Sequence, residues 1–261
     1  ADYEQFLLSM TGPTVIDVTG LNTNKHRVIN TLLQGDEPSG LIALHRWLTT
    51  RDKSKLPQTN LRFIICSVEA AAKSPLFTRR FIEGNRDINR CFGEAEQKHQ
   101  GCYQRAKLIE HAIRDVKPEM VIDLHNASSP SPTFSISSVI TTETLSLASF
   151  FCQTLILSDL HLGSLMEQNF TCPFITIECG GSLDEQAHEV AFAGISHIAD
   201  CENIGYIHQE KNVEVIYRPL RLQTKNGINL SYAEHDEGYS GVTLKTNIEY
   251  FNFGGANQDE M

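Results

Sequence analysis

Runs rich in Val, Ile and Phe alternate along this chain with longer stretches of helical periodicity, and that alternation restricts the fold more than any other feature. Strands are expected at Thr14–Val18, Arg27–Leu33, Leu61–Val68, Met120–Leu124, Thr133–Val139, Gln153–Leu157 and Phe174–Ile177. Several are apolar at nearly every position, as strands covered on both faces should be. Helical patterns at about Pro38–Thr50, Lys98–Val116, Thr142–Phe151 and Leu183–Ala199 would supply the covering layers. Pro38 suits a first helical turn, where its missing N–H is no loss. Pro118 follows the second helix, and Thr141 or Thr142 can cap the third. Strands interleaved with helices predict an α/β fold with a mixed, mostly parallel sheet between helices. From about Tyr206 the pattern changes to short strand-like pieces, Val213–Tyr217, Ile228–Ser231 and Val242–Ile248, with Asn-Gly and Glu-Gly turns among them. The expected division is a main domain over residues 1–205 and a small all-β appendix over residues 206–261.

Composition excludes some functions. A formal net charge of −10 argues against a nucleic-acid surface, which needs clustered cations to neutralise phosphates. No apolar run approaches the ~18–20 residues that span a bilayer, so no membrane partner is expected. The N-terminal segment carries Asp2 and Glu4 and no basic n-region, so it does not read as a secretory signal. Seven scattered cysteines without a CxxC pair read as reduced thiols packed as small hydrophobes, and a cytoplasmic location is expected. Between Lys117 and Lys211 there is no Lys or Arg. A cationic clamp for an anionic substrate must therefore come from the N-terminal part or from the tail.

Four segments place polar or ionisable groups beside the ends of apolar runs: Gln34-Gly35-Asp36-Glu37, Arg86-Asp87-Ile88-Asn89-Arg90, Asp123-Leu124-His125-Asn126 and Ile177-Glu178-Cys179-Gly180-Gly181. Residues at the carboxyl ends of strands project into the usual ligand crevice of an α/β sheet. Three strand ends would thus supply an imidazole, two carboxylates and an amide. That is close to the donor set of a one-metal hydrolase, in which three ligands leave a position for water and a further carboxylate serves as base.

In order and spacing these segments resemble the succinylglutamate desuccinylase/aspartoacylase family, within the zinc carboxypeptidase-like superfamily. The family's His-Gly-Asn-Glu corresponds to Gln34-Gly35-Asp36-Glu37, its Asp-Leu-Asn-Arg to Asp87-Ile88-Asn89-Arg90, and its Asp-Leu-His to Asp123-Leu124-His125. The similarity covers roughly Ile29 to Ala199. It implies the zinc carboxypeptidase-like fold, one Zn²⁺ per chain held by Glu37, His125 and the Gln34 position, and Glu178 as general base in cleaving the amide of an N-acyl amino acid. It implies an oxyanion-stabilising arginine, for which Arg80 and Arg86 are the candidates, and a substrate carboxylate gripped by Asn89 and Arg90. A homo-oligomer is consistent with the resemblance.

Gln34 is the departure. A neutral amide oxygen is a poor zinc donor compared with imidazole, thiolate or carboxylate. Three outcomes stay open: Gln34 binds the metal weakly or through water, another histidine substitutes, or the metal site is altered and leaves a slow enzyme or a binding protein. His26 lies at the far end of its strand, about 20 Å away at ~3.3 Å per residue. His45 is about 12 Å along its helix at ~1.5 Å per residue. His161, on a loop, is the histidine with a route to the site. The rival enzyme reading is a metallocarboxypeptidase acting on short peptides with a free carboxylate.

Overall fold

The computed structural model describes residues 2–93, 100–205, 212–218, 224–235, 238, 241–248 and 253. Its centre is an eight-stranded sheet in the order β1-β3-β2-β4-β7-β5-β6-β8. The strands are β1 (Thr14–Val18), β2 (Asn22–Thr31), β3 (Thr59–Ile65), β4 (Met120–Ala127), β5 (Phe134–Ser137), β6 (Thr154–Leu157), β7 (Phe174–Gly181) and β8 (Glu214–Tyr217). Pairing is parallel between β2 and β3, β2 and β4, β4 and β7, β5 and β6, and β6 and β8, and antiparallel between β1 and β3 and between β5 and β7. The mixed, mostly parallel α/β sheet expected from the sequence is therefore present.

Helices cover both faces: α1 (Tyr3–Leu8), α2 (Ser39–Thr50), α3 (Val68–Ala71), α4 (Gln100–Arg114), α5 (Thr142–Ser149) and α6 (Glu185–Asp200). Ile29, Leu44, Phe63, Ile122, Ile175 and Ile195 belong to one buried cluster, while Val28, Ile64, Ile109 and Val121 belong to a second. Successive residues of β2 thus enter different clusters, because strand side chains alternate faces. This is why the central strands read as unbroken apolar runs.

Two features differ from expectation. Glu214–Tyr217, assigned by the sequence to the appendix, instead pairs in parallel with β6 and forms an edge of the main sheet. Strands β9 (Leu230–Tyr232) and β10 (Val242–Leu244) form a separate two-stranded sheet. Arg27, placed at the start of an apolar strand, is fully buried. Its guanidinium donates to the carbonyls of Ile198 and Cys201, both at 2.6 Å, to that of Glu202 at 3.2 Å and to Glu119 Oε1 at 2.7 Å. These carbonyls close the end of α6, where a helix leaves acceptors without intrahelical donors. Among the described residues no helix is long and apolar enough to cross a membrane.

Candidate active site

Strand β2 ends at Thr31, and the chain then turns sharply. Leu32 adopts φ 58°, a left-handed conformation that L residues enter at a cost of ~1–3 kcal/mol. It is held there by complete burial. Gly35 follows, its N–H bonded to Arg80 O at 2.9 Å. A Cβ at Gly35 would lie 2.5 Å from Arg79 O and 2.6 Å from Ala71 N, so only glycine lets the turn approach this closely. The turn delivers Gln34 and Glu37 to the sheet's carboxyl edge. His125 leaves β4 beside them, and Glu178 stands opposite His125 in the β4–β7 register.

A single hydrogen-bonded chain links Gln34, Glu37 and His125. Cys66 Sγ donates to Asn30 Oδ1 (2.9 Å), and Asn30 Nδ2 donates to Asp123 Oδ1 (2.6 Å). Asp123 Oδ2 lies 2.7 Å from His125 Nε2, and His125 Nδ1 lies 2.7 Å from Glu37 Oε2. Arg80 then bridges Glu37 Oε1 and Asp87 Oδ2, at 2.9 Å each. Asp87 Oδ1 accepts Gln34 Nε2 at 3.1 Å and the N–H of Asn89 at 2.9 Å. Burial opposes a charge on His125, but Asp123 and Glu37 on its two sides hold it protonated well above the usual imidazole range. Burial pushes the Glu178 carboxyl up to about 7; the His125 imidazolium opposes that rise, and the Glu37 and Asp123 carboxylates add to it.

Gln34, Glu37, Arg80, Asn89, Arg90, His125 and Glu178 all line one cavity of about 410 Å³. Asn89 Oδ1 accepts the N–H of Leu165 at 2.9 Å, and Arg90 Nη1 donates to Asn89 O at 2.7 Å. Arg86 is not brought to this cavity. It donates to Tyr103 Oη at 3.2 Å and lines a separate cavity of about 200 Å³ against α4. Asp87 turns its side chain toward Arg80 and Gln34, and its neighbour is thereby sent the other way. Of the two arginine candidates, Arg80 is the one in reach of the site.

No other described histidine replaces Gln34. His26 bonds Asn60, His45 packs on Phe6 with ring centroids 5.2 Å apart, and His161 is exposed near Glu167. Among the described residues no group of three or more His, Cys, Asp or Glu is arranged to hold a metal ion. Gln34 is the residue that stands beside Glu37 and His125 in the cavity lining.

The local chemistry suits Gln34 to the role of a donor. Gln34 Oε1 and Glu178 Oε2 are buried, and among the described residues neither has a hydrogen-bond partner. Two unsatisfied acceptors lining one cavity call for a cation or an N–H donor. Gln34 also donates Nε2–H to Asp87, as a ligating histidine donates its second ring nitrogen to a supporting carboxylate. As ligands, Gln34 Oε1, Glu37 and His125 would offer one nitrogen and two oxygens, a set poorer in nitrogen than zinc prefers, and His125 would first have to give up the proton it shares with Glu37 or Asp123.

Two contributors had weaker signals in the sequence. Asp123 is an acid inside an apolar strand, and that placement alone marks it as paired. Asn126 accepts the N–H of Ser39 at 3.0 Å and donates to Ser39 Oγ at 2.7 Å and Gly180 O at 3.0 Å. It locks the start of α2 to β7. His188 is half-buried, and its Nδ1 lies 2.8 Å from Ser39 Oγ.

No curated protein matches the sequence. The fold is similar to that of a succinylglutamate desuccinylase from Vibrio parahaemolyticus, with a TM-score of 0.65 and 17% identity over 87% of this chain and 78% of that one. A succinylglutamate desuccinylase from Chromobacterium violaceum gives 0.63 and 15%, over 81% of this chain and 75% of that one. The product-bound ectoine utilization protein EutE (DoeB) from Ruegeria pomeroyi gives 0.56 and 15%, over 79% and 65%. The family model for the succinylglutamate desuccinylase/aspartoacylase catalytic domain matches residues 28–193, a span that takes in all four motifs. The chain belongs to the succinylglutamate desuccinylase/aspartoacylase family.

Proposed function

We propose that this protein hydrolyses the amide bond of an N-acyl amino acid with the help of a divalent metal ion. One observation carries the reading: adjacent strand ends bring Gln34, Glu37, His125 and Glu178 into one cavity with Asn89 and Arg90. Gln34 Oε1, Glu37 and His125 would hold the ion, which is Zn²⁺ by resemblance to the family. When bound, such an ion supplies electrophilic activation of water and of the scissile carbonyl. Arg90 receives the substrate carboxylate as a charge-assisted pair, and Asn89 orients it. Glu178 takes a proton from the attacking water and returns it to the leaving amine. Arg80, fixed by Glu37 and Asp87, stabilises the negative charge that develops on the carbonyl oxygen.

The test is a screen of N-acyl amino acids and short peptides on protein supplied with Zn²⁺ or Mn²⁺. Hydrolysis of acyl amino acids that is lost on chelation and in Glu178→Gln supports the proposal. Preferential release of C-terminal residues from peptides replaces it with the carboxypeptidase reading.

A second reading rests on the direct His125 Nδ1 to Glu37 Oε2 contact at 2.7 Å, in which a proton bridges two intended metal donors. That contact and Gln34 together favour a carboxylate-binding protein without turnover. Protein purified without stoichiometric metal, and inactive as both wild type and Gln34→His, would support it.

A further inference from the structure

We propose that the substrate carries a single carboxylate and that the amino acid it releases has a large, uncharged apolar side chain. The inference rests on the amide-hydrolase reading and names the substrate class for that site.

Charge is the first argument. Among the described residues lining the cavity, the arginines are Arg80 and Arg90, and there is no lysine. Arg80 is committed to Glu37 and Asp87. Arg90 remains for a substrate carboxylate. Apart from Gln34, Glu37, Asn89 and Phe253, the rest of the described wall comes from residues 125–178, a span without a single Lys or Arg, and it includes Glu178. Among the described residues a second anionic group would meet no further cation in this space and would face that carboxylate, which is costly in a partly desolvated site.

The shape of the apolar wall is the second argument. The segment bearing Leu160, Leu162 and Met166 is pinned beside the carboxylate clamp. Leu165 N–H donates to Asn89 Oδ1 at 2.9 Å, and Phe92 N–H donates to Gly163 O at 2.9 Å. A carboxylate on Arg90 therefore sets the attached α-carbon next to this segment. Sheet order supplies the facing wall. Phe134 is opposite Glu178 and Ile136 is opposite Thr176 in the β5–β7 register. Phe253 packs on Phe134 with ring centroids 4.9 Å apart. None of these six apolar side chains is fully buried by the chain itself, and all line the cavity. Its volume of about 410 Å³ falls within the ~300–1,000 Å³ of small-ligand pockets.

The experiment compares N-acetyl-phenylalanine and N-acetyl-methionine with N-acetyl-aspartate and N-succinyl-glutamate on full-length protein supplied with Zn²⁺ or Mn²⁺. The apolar pair is expected to lead in kcat/KM by about tenfold or more. An equal or higher value for either acidic substrate overturns the inference. Should none be hydrolysed, the hydrolase reading fails, and calorimetric binding of the same four compounds to Glu178→Gln decides the side-chain preference separately. Tighter binding of the apolar pair supports it, and equal or tighter binding of the acidic pair refutes it. Leu162→Arg adds a cation to the wall beside the clamp and is expected to narrow or reverse the preference. An unchanged preference in that folded variant shows the wall is misassigned.

Discussion

Glu178 should make the metal-free protein less stable as pH rises. Its carboxyl moves from an ordinary 4.5 to about 7, chiefly through burial, and among the described residues Oε2 finds no donor. Between these two values the folded state holds a proton that the unfolded chain has released. Stability therefore falls as pH rises through the window, and the full cost stands above about pH 7. At ~1.4 kcal/mol per pH unit that cost is about 3 kcal/mol. Glu178→Gln removes the charge but leaves an amide with its own missing partner, worth ~1 kcal/mol. The variant should thus be about 2 kcal/mol more stable than wild type near pH 8, an advantage that disappears toward pH 5. Urea unfolding in EDTA, followed by the fluorescence of the buried Trp47, measures it. Added Zn²⁺ or Mn²⁺ should shrink the difference, because a cation in the cavity compensates the carboxylate. Parallel stability curves for the two proteins across pH 5–8 would refute the reasoning, since they would mean that Glu178 ionises in the fold as it does in water.

Gln34→His keeps a donor for Asp87 and replaces the amide oxygen with imidazole nitrogen, so Zn²⁺ affinity should rise by roughly tenfold or more; chelator competition reads it. Arg27→Met strands three α6-end carbonyls, leaves Glu119 to Lys25 alone and should lower stability by ~3 kcal/mol, the lower end of the scale for breaking a buried ionic network, as seen in the urea midpoint. Gly40→Ala would set a Cβ 2.0 Å from Thr31 Oγ1 and 3.1 Å from Leu124 Cβ, pushing α2 off the sheet at a cost of ~1–3 kcal/mol, visible as a lower melting temperature. Arg90→Ala should raise KM for substrates with a free carboxylate far more than it changes kcat, while leaving α-carboxamide analogues unaffected.

Elements with strong local signals were legible in the chain. β1 and the start of β4 fall where apolar runs placed them, and α2 begins one residue after Pro38. The short α1 and α3 were missed, because six and four residues carry too little periodicity. β8 was seen as a strand, but its partner is more than fifty residues away in β6, and local pattern carries no information about such pairing. Among the arginines, Arg80 and Arg86 were equivalent in sequence. They are separated by the direction in which Asp87 turns, which depends on Gln34 and Arg80 already being in place.

The sequence by itself determined the α/β class, the order of the four motifs and the misfit at Gln34, since these follow from hydrophobic period and residue identity. Only the tertiary structure decided what surrounds them. It left His26, His45 and His161 outside the cavity lining, left Gln34 Oε1 and Glu178 Oε2 without a partner among the described residues, and committed Arg80 to two carboxylates. It also set Phe134 beside Glu178 through strand register. Burial, partner choice and cavity shape arise when strands distant in sequence are packed side by side, so they belong to the fold and not to any segment of the chain.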